Sequence, residues 1–280
     1  METGQQARKA EQLRRLHEGP RILILANAWD VISARIVEQV GFPALATTSA
    51  GVAAVLGYRD GQRVPRREML EFVGRIARAV DVPVTADMES GYGTTPEDMA
   101  EMARAVVDAG AVGLNLEDVI GDDESSHVEI GLQTEKIAAV REASAAAGVP
   151  LVINARTDVY LMPIGPEETR FERTVERLRA YRKAGADCVF APGIRDRETI
   201  GQLVRAVDAP LNILLQPGGP SVADLEKLGV ARASIGSGTM RAALGTARKF
   251  ARGLLEYRDH AEFLKDAVPY DEVNRLLGCA

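Results

Sequence analysis

Cysteine is almost missing from this chain: Cys188, inside the apolar run DCVFAPG, and Cys279, next to the last residue, are the two present. A disulfide framework and a CxxC metal knuckle are thereby excluded, and Cys188 reads as a core residue. Histidine is scarce as well, with only His17, His127 and His260. That argues against an imidazole-built zinc site, so any metal would be hard and oxygen-bound, of the Mg²⁺ kind. A basic excess is also lacking. The 34 Lys and Arg stand against 40 Asp and Glu, a formal charge of −6, which speaks against a polyanion-binding surface and against nucleic acid as a partner. No stretch of about 18 apolar residues occurs, and the opening METGQQARKAEQLRRLHEG reads as a polar lead-in helix without an apolar signal core. No membrane partner is expected, and the expected location is cytoplasmic.

What the chain does have is 46% hydrophobic residues, enough for a large core. They gather into short, nearly continuous runs rich in β-branched residues, the pattern of strands buried on both faces of a parallel sheet. The eight runs span 21–29, 43–50, 83–89, 111–118, 151–158, 188–193, 211–217 and 233–238. Between and after them lie segments of helical period at 30–40, 66–80, 96–109, 133–147, 167–184, 196–207, 221–228 and 239–257, several closing on glycine, as at Gly41, Gly110, Gly148 and Gly185. Strict β-then-α alternation repeated eight times predicts an α/β (β/α)8 TIM barrel, with an open doubly wound sheet as the structural alternative. No linker divides the chain, so one domain is expected over 1–280: an N-terminal helix at 1–20, the barrel at 21–257 and a C-terminal helical extension at 258–280. The apolar content of that extension suggests that it packs on a neighbouring surface, such as another subunit.

A TIM barrel places its active site at the C-terminal ends of the strands, so polar residues there carry the information. Strand 2 of the eight ends in Thr47, Thr48 and Ser49 before Ala50 and Gly51; strand 3 ends in Asp87 and Glu89, strand 4 in Glu117 and Asp118, and strand 5 in Asn154, Arg156 and Asp158. Asp87 and Glu89, two apart, are expected on one face of their strand. Carboxylates so close repel unless a cation lies between them, and Mg²⁺ accepts one or two while keeping waters that others hold. The bland alternative is that these acids cap helices or pair with arginine. Arg156 is a candidate anchor for a substrate carboxylate, since its planar fork suits bidentate capture. The run TTSAGV offers backbone N–H groups that can cradle an anionic oxygen, although small residues also make tight turns.

The stretches ANAWDVISARIVEQVGFPALATTSAGVAAVLGYRDG, TADMESGYG, LNLEDV, INARTD and LNILLQPGGPS together resemble the isocitrate lyase / phosphoenolpyruvate mutase superfamily. The resemblance implies a TIM barrel that assembles as a homotetramer, a dimer of dimers in which a C-terminal helix is exchanged. It implies chemistry on a small carboxylic acid through a Mg²⁺-stabilised enolate, with Mn²⁺ able to substitute. Residue by residue, it implies Asp87 nearest the metal, with Asp60, Glu89 and Glu117 holding its waters. Arg156 would bind a substrate carboxylate, Thr48, Ser49, Ala50 and Gly51 the carboxylate and oxo oxygens of a pyruvate-like unit, and Asn212 would face the site.

The departures from the family pattern lie after Glu117. The lyases carry K-[KR]-C-G-H there, with the cysteine as acid; this chain has GDDESSHVEIG, which sets Asp123, Ser125 and His127 against the lysine, cysteine and histidine. A serine hydroxyl is far less acidic than a thiol. Ser125 is therefore a weak substitute for the lyase acid, whereas His127 could shuttle a proton at neutral pH unless it is a plain loop residue. The run 122–124 reads as a solvated lid tip. The Lys and Asn that the mutases use are absent from matching places. The expected activity is thus carbon–carbon lysis of a 2-oxo or 2-hydroxy dicarboxylic acid, with decarboxylation of an oxaloacetate-like substrate ahead of methylisocitrate-like retro-aldol cleavage. The alternatives are a phosphonomutase or phosphonopyruvate hydrolase acting on a C–P bond and, more remotely, a barrel serving only as a binding scaffold.

Overall fold

The computed structural model describes residues 2–121, 126–256, 258 and 260–278. Nine parallel strands follow one another around a nearly closed barrel: β1 (Leu23–Leu25), β2 (Asn27–Ala28), β3 (Leu45–Thr47), β4 (Val84–Asp87), β5 (Gly113–Glu117), β6 (Val152–Arg156), β7 (Cys188–Phe190), β8 (Leu211–Leu214) and β9 (Arg232–Ser234). The ninth strand comes from a break in the first apolar run at Ala26. β1 pairs with β9 and β2 with β3, so the two pieces share one barrel position and join its ends. Asn27 bridges this seam: its Nδ2 donates to Thr47 O at 2.8 Å, and its Oδ1 accepts from the backbone of Ile235 and Gly236 at 3.1 and 2.9 Å. A side chain thus supplies hydrogen bonds where the backbone changes neighbours.

The outer helices are α2 (Val31–Val40), α4 (Arg66–Ala79), α5 (Pro96–Asp108), α6 (Ile130–Ala146), α7 (Arg170–Lys183), α8 (Arg197–Val207) and α9 (Val222–Lys227), each between two strands. Sequence signals set their ends. Asp30 with Ser33 and Thr95 with Asp98 form reciprocal caps, Pro96 takes the first turn of α5, and Gly41 ends α2 in the left-handed region. An extra helix, α3 (Ser49–Leu56), starts within TTSAGV, where the small residues also admitted a tight turn. Thr48 caps it by accepting from Gly51 N at 3.4 Å. Gly51 is required by packing, because a Cβ there would lie 2.6 Å from Thr48 and 2.7 Å from Trp29.

The lead-in helix α1 (Thr3–Leu16) lies across the N-terminal ends of the strands. Gln6 donates to Val107 O and Ala111 O, just ahead of β5, and Arg14 reaches Pro150 O and Asp187, ahead of β6 and β7. This helix thus covers the N-terminal side of β5, β6 and β7, opposite the mouth. Beyond the barrel come α10 (Gly238–Leu255), α11 (His260–Leu264) and α12 (Tyr270–Leu277). The ninth helical segment expected after the barrel is therefore two short helices, and α12 packs on α2 of its own chain. α10 leaves Leu244, Leu254 and Leu255 exposed. No described helix is long and apolar enough to cross a membrane.

Candidate active site at the barrel mouth

Three strand ends hold Asp87. As the last residue of β4 it donates its N–H to Thr47 Oγ1 at 2.9 Å. Its Oδ2 accepts from both N and Oγ of Ser49, at 2.9 and 2.8 Å, and its Oδ1 faces Asn115 Nδ2 at 3.4 Å. Alternation along β5 turns Asn115 and Glu117 the same way, and the register sets Asp87 beside Asn115 and Glu117 beside Arg156. The Ser49 N–H that the sequence offered as an oxyanion donor is here engaged with Asp87.

Glu89 reaches the site by a route that strand periodicity does not describe. β4 stops at Asp87, and Glu89 lies beyond it with φ of +50°, a backbone state that costs about 1 kcal/mol or more for a residue other than glycine. Its neighbours hold it there. Gln62 N donates to Glu89 Oε2, Tyr92 Oη donates to Glu89 Oε1 at 2.8 Å, and the Gln62 amide oxygen accepts from Ser90 Oγ and Tyr92 N. From behind, the buried Lys136 of α6 donates to Ser90 O at 2.9 Å. Burial, reinforced by the Asp87 charge, pushes the Glu89 carboxyl up to about 7.

Arg156 is clamped between two acids, with Nη1 2.8 Å from Glu117 Oε2 and Nε 2.6 Å from Asp158 Oδ1. Burial works against its charge, but Asp158 and Glu117 outweigh that and hold the guanidinium firmly protonated. Glu117 is pushed well above the usual carboxylate range: burial, with Asp158, Asp87 and Glu89 nearby, overrides the lowering by Arg156. The acids gathered around Arg156, which are Asp87, Glu89, Glu117 and Asp158, thus outnumber the one guanidinium they surround.

Asp118, one residue on, belongs to another environment. It is fully buried, and its Oδ2 accepts from Tyr181 Oη at 2.6 Å and from Arg177 Nη1 at 3.1 Å, while Oδ1 accepts from Asp158 N at 3.0 Å. His127 Nε2 lies 3.1 Å from Asp118 Oδ2. Burial opposes ionisation, yet His127, Arg177 and Tyr181 hold this carboxyl below its ordinary value. His127 thus stands on a structural carboxylate at the base of the loop after β5.

One cavity of about 330 Å³ opens at the mouth, and it brings together the sequence-derived residues Ser49, Asp60, Glu89, Glu117 and Arg156. Asp87 sits beneath Ser49, and Thr48, Ala50 and Gly51 form the start of α3. Asn212 is not on the lining: it is buried in the barrel interior, in register with Phe190 and Arg232, and bonded to Ser234 Oγ at 3.2 Å. His127 is not on the lining either, and Ser125 lies outside the described residues. Sequence reasoning missed Arg59, Leu161 and Met162 on the lining, together with the props Gln62, Tyr92 and Lys136. The doublet Glu117-Asp118 did carry a signal, because neighbours on a strand face opposite ways.

Among the described residues no three His, Cys, Asp or Glu converge as a ready-made metal cage. The donor chemistry nevertheless fits Mg²⁺, which is held through waters by few direct carboxylates. Burial first, and neighbouring acids second, raise the carboxyls of Glu89 and Glu117, and a dication bound beside them would favour their charged forms.

Residues 13–255 match the phosphoenolpyruvate phosphomutase family. A solved Burkholderia cenocepacia structure, put forward as a lyase/mutase, is similar with 38% identity and a TM-score of 0.90, covering 99% of this chain and 98% of that one. Oxaloacetate decarboxylase 2 of Pseudomonas fluorescens is 30% identical over 226 residues, 79% of this chain and 74% of its own. A phosphonopyruvate hydrolase solved with oxalate and Mg²⁺ is similar with 25% identity and a TM-score of 0.83, covering 96% of this chain and 95% of that one. With the barrel and its strand-end acids, that match establishes that the chain belongs to the phosphoenolpyruvate phosphomutase family, within the isocitrate lyase / phosphoenolpyruvate mutase superfamily.

Proposed function

We propose that this protein is a Mg²⁺-dependent lyase that decarboxylates a 2-oxo dicarboxylic acid of the oxaloacetate type. The observation that carries the reading is the single cavity in which Glu117, clamped to Arg156, faces Glu89 and Asp60, with Asp87 held just beneath. Asp87, Asp60, Glu89 and Glu117 would hold the metal, directly or through its waters. When bound, Mg²⁺ supplies the polarisation of the 2-oxo group that lets a neighbouring bond break to an enolate; Mn²⁺ can take its place.

The chain's own residues supply the rest. Arg156, fixed by Glu117 and Asp158, orients a substrate carboxylate with the guanidinium edge that remains. Ser49 exchanges its hydrogen bonds to Asp87 for substrate oxygen, or holds Asp87 while the substrate binds beside it. Decarboxylation is favoured over retro-aldol cleavage because CO₂ leaves without a base to take a hydroxyl proton, and the enolate left behind can take its proton from water at the open mouth. Among the described residues neither a thiol nor an imidazole lines the cavity. Similarity to a phosphonopyruvate hydrolase supports a second reading, cleavage of a C–P bond in the same pocket. Assembly as a homotetramer in the cytoplasm is part of the same reading, and the exposed leucines of α10 offer an apolar face for a subunit contact.

The test is a panel of oxaloacetate, 2-methylisocitrate, isocitrate, phosphonopyruvate and substituted malates, with pyruvate, glyoxylate, oxalate and phosphoenolpyruvate all measured as products, in Mg²⁺ and in EDTA. Metal-dependent pyruvate release from oxaloacetate is the expected result. Turnover that survives EDTA removes the metal from the reading, release from phosphonopyruvate alone selects the C–P reading, and inertness toward the whole panel leaves a binding barrel.

A further inference from the structure

The cavity contains a second cation that the reading above does not use. Arg59 lines it beside Asp60 and Gly61 and makes no hydrogen bond or ion pair with any described residue. Arg156, by contrast, is already held by Glu117 and Asp158. These two are the only basic residues on the described lining, and the wall from the β6–α7 connection is apolar, formed by Leu161 and Met162. The volume of about 330 Å³ lies at the small end of small-molecule sites, which suits a compact acid and excludes a nucleotide or polymer chain.

The loop that carries Arg59 is tied to the metal-site acids. Three residues on, Gln62 donates its backbone N–H to Glu89 and accepts through its side chain from Ser90 and Tyr92. Gly61 O lies 3.7 Å from where a Cβ on Gly121 would stand, so this loop also abuts the segment that follows β5. Arg59 is therefore carried on a backbone whose position is set by Glu89. An acid whose 2-oxo end engages Arg156 and the carboxylate ring leaves its far end for another part of the same small cavity. A far-end carboxylate in so acidic a pocket requires a cation of its own.

We propose that Arg59 is a specificity-determining residue that receives the distal carboxylate of the substrate, so that the site selects dicarboxylates over monocarboxylates. This inference rests on the metal and 2-oxo-acid reading of the site. Arg59 is exposed, so its replacement leaves the core intact. A guanidinium–carboxylate contact contributes enough that its loss costs about tenfold or more in affinity.

The experiment is titration calorimetry on the full chain with saturating Mg²⁺ and two probes: oxalate, which has no distal carboxylate, and 3,3-difluorooxaloacetate, which has one. Arg59→Gln is expected to weaken difluorooxaloacetate about tenfold or more while oxalate stays within about twofold, and Arg59→Lys is expected to recover part of the loss. Wild type that binds oxalate, with Arg59→Gln unchanged toward both probes, overturns the role of Arg59 alone, as does an equal loss for both probes. Wild type that fails to bind oxalate with Mg²⁺ overturns the underlying reading and this inference with it.

Discussion

Glu117 and Asp118 are consecutive residues at one strand end, both buried, yet their carboxyls are driven in opposite directions. Asp118 has donors on both oxygens and is held below its usual range, whereas Glu117 has one arginine, three acids nearby and a raised value. Strand alternation causes the division by sending one side chain to the mouth and the next behind the barrel wall. The difference separates roles. A satisfied carboxylate is part of the scaffold, while one kept in surplus negative charge costs stability and calls for an external cation.

The largest expected effect is on the scaffold side. Asp118→Ala leaves Arg177 buried without its acid and strips an acceptor from Tyr181 and Asp158 N, which is expected to cost about 3–5 kcal/mol in urea unfolding. A loss below about 1 kcal/mol would erase the contrast. Glu117→Gln should behave oppositely: stability holds or rises, while metal affinity and turnover fall on the order of 10–100-fold.

The mouth and the wall also titrate with opposite sign. Glu89 is raised to about 7 in the fold, so between its unfolded value and 7 the folded state binds the extra proton. Its contribution is fully present below about pH 4.5 and is lost as pH rises through about 7, on the order of 3 kcal/mol in all. The depressed carboxyl of Asp118 contributes above its unfolded value and loses that contribution in acid. Urea unfolding of metal-free protein across pH 4.5 to 7.5 is expected to show a falling slope that Glu89→Gln reduces, with Glu117 contributing the rest; identical slopes in both proteins would contradict it. The smallest effect belongs to His127. Beside Asp118, its change to Ala should cost about 1 kcal/mol of stability and leave the rate within about tenfold, whereas a collapse of the rate moves His127 to the Glu117 side.

Much of this contrast was written in the sequence without being readable as such. The barrel followed from short buried runs alternating with capped helices, and the acids from their places at run ends. Asp118 was visible as a strand-end acid, but its partners Arg177 and Tyr181 lie 59 and 63 residues away, and pattern says nothing about contacts at that range. Glu89 looked like a strand residue because periodicity cannot register a left-handed turn held by Gln62 and Lys136. TTSAGV fits a tight turn and the start of α3 equally well because its side chains are small. Asn212 was placed at the mouth by resemblance, whereas the register puts it beside Arg232 in the barrel interior.

The central claim, that the mouth acids form a metal site for a 2-oxo acid, is tested most directly by thermal unfolding with Mg²⁺ and oxalate. At about a hundred times the dissociation constant, the complex should gain ~2.7 kcal/mol and raise the Tm by roughly 5 °C. Asp87→Ala should abolish that rise; an unshifted wild-type Tm, or an equal shift in Asp87→Ala, would contradict the account.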